Sequence, residues 1–138
     1  MGAFAESTGK KPSKLLKKFA DRVENHDIKG ILALLDGSYK QVQLIGMHKN
    51  DTTRFINELF CGYSTADNTT FMCAKINDIK KCSLMKLGKF DSETKSPAYA
   101  SVNYRIDTYD GLKIKISIVV VRITTSTGVL FRLAGAVG

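Results

Sequence analysis

The stretch from Ala98 to Val121 constrains this chain more than any other. Ala98, Ala100, Val102, Tyr104 and Ile106 alternate with Ser101, Asn103, Arg105 and Asp107, the two-residue period of a strand covered on one face. Asp110-Gly111 then supplies the backbone freedom that a tight hairpin needs. The returning segment sets Leu112, Ile114 and Ile116 against Lys113, Lys115 and Ser117, and becomes wholly apolar at Ile118 to Val121. A strand covered on both faces lies in mid-sheet or under another chain. An antiparallel sheet built around this hairpin is the expected framework.

Other strands gather around it. Lysines alternate loosely with apolar residues from Lys80 to Phe90, as at a sheet edge, and Ser126 to Gly128 turns the chain into a last strand, Val129 to Leu133. The helices come earlier. Leu15, Leu16, Phe19, Ala20 and Val23 share one face of a helix opened by Pro12-Ser13. Asp27 caps a second helix through Leu35, with Gly37 as its left-handed stop. Tyr39 to Met47 reads equally as strand or helix. Asn50 or Asp51 caps a third helix, buried through Phe55, Ile56, Leu59 and Phe60 and ended by Gly62, and Ser64 to Thr70 follows as a loop. Residues 1–11 are expected to be a flexible tail and 12–138 a single domain, which is what 138 residues can build.

Composition narrows the function classes. The apolar runs are too short, and too interrupted by lysine, to cross a bilayer, so a soluble domain is expected. The net charge of +8 is mostly lysine, a solubilising point charge, whereas arginine is the usual reader of bases. The lysines are scattered along the chain without interleaved aromatics, which argues against specific nucleic-acid binding and leaves attraction to acidic surfaces. Cys61, Cys73 and Cys82 form no Cys-x-x-Cys pair, and with only His26 and His48 to join them no zinc site is expected. Cys61 follows Leu59 and Phe60, where a buried thiol is the simplest reading; one disulfide plus a free thiol stays open. Ala3-Phe4-Ala5 has the form of a signal-peptidase site, which favours an exported chain over a cytoplasmic one.

Three helices followed by a long antiparallel meander resembles the nuclear transport factor 2-like, or ketosteroid isomerase-like, superfamily, a cystatin-like α+β cone. Val23-Glu24, Asp27-Ile28, Gly30-Ile31 and Ala33-Leu34 look like that family's first helix junction, and Gly128-Val129-Leu130-Phe131-Arg132 resembles its last strand. The resemblance implies three N-terminal helices packed in a curved antiparallel sheet around an apolar pocket, and a homodimer formed through the sheet. The family's isomerases need a carboxylate base and two donors for a developing enolate. Laid on this chain, those positions fall at Phe19, near Gln43 and near Val120, and none carries the required group. The resemblance therefore implies a binding or assembly domain rather than an enzyme, with no cofactor and no catalytic residues. Phe19 and Val120 would wall a pocket for a small apolar ligand, and Gln43 would give it a polar contact.

Other chemistry has less support. The chain has no phosphate-cradling glycine loop and no Gly-x-Ser-x-Gly elbow. His26 and His48 have no evident acid partner, so surface or capping roles are expected. Two alternatives stay open: an enzyme using Tyr104, Arg105 and Asp107, and a basic module binding an anionic partner. Tyr104 cannot share a strand face with Arg105 and Asp107, which weakens the first. A homodimer through the two-sided apolar run Ile118 to Val121 is expected in either case.

Overall fold

A computed structural model describes residues 11–137, so most of the expected N-terminal tail, and the Ala3-Phe4-Ala5 site, lie outside the described residues. The fold is α+β, with helices preceding a six-stranded antiparallel sheet. Four helices come first: α1 (Ser13–Glu24), α2 (Ile28–Leu32), α3 (Gly37–Tyr39), which runs on as a π-helical segment Lys40–Met47, and α4 (Thr52–Glu58). The strands are β1 (Cys61–Ser64), β2 (Phe71–Cys73), β3 (Ile79–Leu87), β4 (Ala98–Thr108), β5 (Lys113–Thr125) and β6 (Gly128–Val137). They lie in the order β2-β1-β5-β4-β3, with β6 pairing β5 farther along on the side of β1. Among the described residues no helix is long and apolar enough to cross a membrane.

β5 is central, as its apolar middle requires, and β3 is an edge strand. The β4–β5 turn forms at Asp110-Gly111, where Gly111 takes a φ of 93° that side chains disfavour. The inner face of the sheet (Val102, Tyr104, Ile106, Ile114, Ile116, Ile118, Val120) packs on Leu15, Leu16, Phe19 and Val23 of α1. Burying each such side chain is worth roughly 1.5–3 kcal/mol. Two polar contacts fix the helix on the sheet: the Tyr104 hydroxyl donates to the Leu16 carbonyl at 2.8 Å, and the Cys82 N–H donates to Glu24 at 2.8 Å.

The caps form at Asp27, which accepts from Gly30 N–H, and at Asp51, which accepts from Arg54 N–H. Other boundaries differ from expectation. The second helix stops at Leu32, and Gly37 starts α3 behind the Asp36 cap instead of ending a helix. The freed segment Leu34 to Asp36 lines the β6 edge: Leu133 N–H donates to Leu34 and Asp36 N–H donates to Leu133. An unpaired edge is thereby covered. Helix α4 ends before Gly62, which lies inside β1, where an added Cβ would collide with the Lys115 carbonyl oxygen. Gly62 is needed for the close approach of β1 to β5, not for a left-handed stop.

Candidate functional site: the outer face of the sheet

Residues directly paired across a ladder share a face, so the registers show what the side of the sheet away from the helices displays. One line crosses five strands: Phe71 opposite Tyr63, Tyr63 opposite Lys115, Lys115 opposite Arg105, and Arg105 opposite Ser83. At about 4.8 Å per strand it spans roughly 19 Å. On one side of it lies the line Lys113, Asp107, Lys81, and on the other Ser117, Asn103, Lys86. A 2.8 Å hydrogen bond from Ser117 Oγ to Asn103 Oδ1 marks the register of the latter. The three lines thus bring together five cations and one carboxylate from distant stretches of chain.

That carboxylate is engaged. Arg105 Nε lies 3.3 Å from Asp107 Oδ1, two residues along the same face. Those two atoms make no hydrogen bond, but Arg105 Nη2 donates to Asp107 Oδ2 at 3.4 Å, so the pair is both ionic and hydrogen-bonded. Lys81, Lys86, Lys113 and Lys115 form no ion pair among the described residues. Beside them stand two exposed rings, Tyr63 (40% exposed) and Phe71 (51%), in edge contact at 5.5 Å with planes 73° apart. Lysines and aromatics that are separate in the sequence are neighbours on this face, which corrects the reading that they stand apart.

The aromatic end is held rigid from two sides. Cys61 and Cys73 pair across the β1–β2 ladder two residues from Tyr63 and Phe71, on the same face, and form a disulfide. The intervening loop is organised by Asp67, which accepts from the N–H groups of Thr69 and Thr70 and from the Thr70 hydroxyl. These donors, the Thr70 hydroxyl first, hold the Asp67 carboxyl down at about 2, against an ordinary 3.8. Cys82 is the buried free thiol, raised by desolvation and then by Glu24. The open disulfide question is thus resolved, and Cys61 is not a free thiol.

The pocket residues expected from the sequence sit elsewhere. Phe19 is fully buried, with ring centroids 5.0 Å from Tyr104 and 6.4 Å from Phe60. Val120 is fully buried in the same core, opposite Ala100 and Leu133. Gln43 lies half-buried on the π-helical segment, where its carbonyl accepts the His48 N–H. The grooves described on the surface are lined by other residues; one, of about 460 Å³, lies between Arg54 and Asn57 of α4 and Cys73 to Lys75. In the run Ile118 to Val121, Val121 is already buried within the chain, where it pairs with the buried Arg132. Tyr104 points into the core and Arg105 and Asp107 outward, so the three form no common site.

The two histidines differ. His26 Nε2 lies 2.7 Å from the Ile79 carbonyl, at a helix junction where its φ is 54°. His48 does have an acid partner: Nε2 lies 2.9 Å from Glu58 Oε2, its side chain is buried, and its ring packs edge-on against Phe55. Its Nδ1 makes no hydrogen bond. The Tyr39 ring packs on Phe55 at 5.6 Å, and its hydroxyl is raised by desolvation and then by Glu58. Among the described residues no group of three or more His, Cys, Asp or Glu could hold a metal ion.

The sequence hides β1, whose Cys61 and Gly62 read as a helix end, and does not delimit β2, because Phe71 to Cys73 is a strand of three residues, too short to show a period. The available signal was a pair of cysteines flanking a Ser/Thr/Asn-rich loop. The chain matches no family model, no curated protein and no solved structure.

Proposed function

We propose that this chain is a non-catalytic binding domain on a nuclear transport factor 2-like cone, and that it docks an anionic partner on the outer face of its sheet. The observation that carries this reading is the line Phe71, Tyr63, Lys115, Arg105 with Lys113, Lys81 and Lys86 beside it. Five cations facing one already paired carboxylate attract polyanions and release their counterions on binding. The Arg105–Asp107 pair also holds the guanidinium in place within the line. The cone supplies a rigid sheet; helix-before-sheet order and the inward packing of α1 support that assignment.

An apolar ligand held by Phe19 and Val120 is the less supported reading, because Phe19 is packed between Tyr104 and Phe60 and a guest would have to part those rings. Titration with fluorescent dextran sulfate over a salt series tests the docking surface. Affinity is expected to fall roughly tenfold or more between about 50 and 200 mM salt. The triple variant Arg105→Gln, Lys113→Gln, Lys115→Gln should flatten that dependence. Absence of binding, or salt-insensitive binding, contradicts the proposal.

A further inference from the structure

We infer that the partner is an extended acidic polysaccharide, its sugar rings packing on Tyr63 and Phe71 and its carboxylates meeting Lys115 and Arg105. This rests on the reading of the outer face as a polyanion-docking surface. Four observations favour a polysaccharide over other polyanions.

First, the contact residues Phe71, Tyr63, Lys115 and Arg105 form a row across four strands, so they match a chain better than a small anion. Second, the two rings stand 73° apart and touch edge-on. They offer no pair of parallel platforms for successive nucleic-acid bases. A pyranose ring needs only one aromatic face, against which its polarised C–H groups pack. Third, the cations are four lysines and one arginine. Lysine is a point charge without the bidentate fork that reads base edges, so this row attracts a polyanion without reading bases. Fourth, the Cys61–Cys73 disulfide holds the very hairpin that carries the rings. Disulfides persist in oxidising, extracytoplasmic settings, where acidic polysaccharides occur and single-stranded nucleic acid is scarce. A membrane surface fits less well, because interfacial anchors insert their apolar groups into the lipid, whereas Tyr63 and Phe71 lie within the sheet and against each other.

The test measures binding of the full chain to labelled oligogalacturonate, to a thymidine oligomer of equal charge, to neutral dextran and to phosphatidylglycerol vesicles. Variants Phe71→Thr, Tyr63→Thr and the double Lys115→Gln, Arg105→Gln are compared after circular dichroism confirms a native fold; threonine keeps the strand preference of β1 and β2. Oligogalacturonate is expected to bind more tightly than the thymidine oligomer, and neutral dextran not at all. Each ring variant should lose about fivefold on the glycan, the scale of one aromatic contact. The double charge variant should lose about tenfold or more. Tighter binding to the thymidine oligomer or the vesicles overturns the polysaccharide assignment while sparing the docking surface. Full affinity in both folded ring variants also overturns it. No binding to any of the three polyanions defeats the docking surface itself.

Discussion

Tyr63 lies directly opposite Lys115 across the β1–β5 ladder, although the two belong to opposite halves of the sequence. This pairing joins an exposed ring to the cationic row of the central hairpin. It depends on Gly62, whose missing Cβ lets β1 approach the Lys115 carbonyl.

Gly62→Ala should therefore damage the platform before it damages the core. Forcing a methyl against backbone should cost about 1–3 kcal/mol. Hydrogen exchange should show faster amides in β1 and β2, with β4 and the distal half of β5 still protected. Unchanged protection in β1 would show that the close approach is not needed.

The disulfide predicts a thiol count. In native protein a thiol reagent should find no reactive group, since Cys61 and Cys73 are joined and Cys82 is buried; in denaturant it should find one. Cys61→Ser with Cys73→Ser should lower stability by about 3 kcal/mol, because the bond closes a short loop in the unfolded chain. Three thiols in denaturant would remove the staple from the account.

Tyr104→Phe deletes the donor to the Leu16 carbonyl without changing the packing of the ring. Chemical denaturation should show a loss of about 1 kcal/mol with an unchanged denaturant slope. A neutral outcome would mean that water satisfies the carbonyl equally well.

How much of this was legible varies from element to element. The β4–β5 hairpin announced itself because alternation and Asp110-Gly111 act over adjacent residues. The caps at Asp27 and Asp51 are equally local. Gly37 and Gly62 were misread because the sequence gives a glycine without its reason, and here neither supplies a left-handed stop. Tyr39 to Met47 stayed ambiguous because its apolar residues follow neither period; Tyr39 ends α3, and Lys40–Met47 folds as a π-helical segment with Val42, Ile45 and Met47 exposed. The outer-face site was illegible for a different reason. Phe71, Tyr63, Lys115 and Arg105 come from four strands, and only their register makes them neighbours.

Asp67 gives a pH prediction. Its carboxyl is held at about 2, so the hydrogen bonds to Thr69 and Thr70 favour the charged, folded loop above the ordinary value of 3.8. That contribution is lost as pH falls through about 2. Carboxyl NMR titration should place the Asp67 midpoint near 2 in wild type and move it up toward the ordinary 3.8 in a folded Thr70→Val variant, which removes the hydroxyl donor and leaves the two backbone ones. A wild-type midpoint at 3.8 would contradict the loop geometry.

The most direct measurement is amide NMR of the full chain during addition of dextran sulfate. Shifts are predicted to concentrate at Tyr63, Phe71, Lys81, Arg105, Lys113 and Lys115, and to reverse when salt is added. Shifts confined to α1 and the inner strand positions around Phe19 and Val120, or no shifts at all, would contradict the outer face as the working surface.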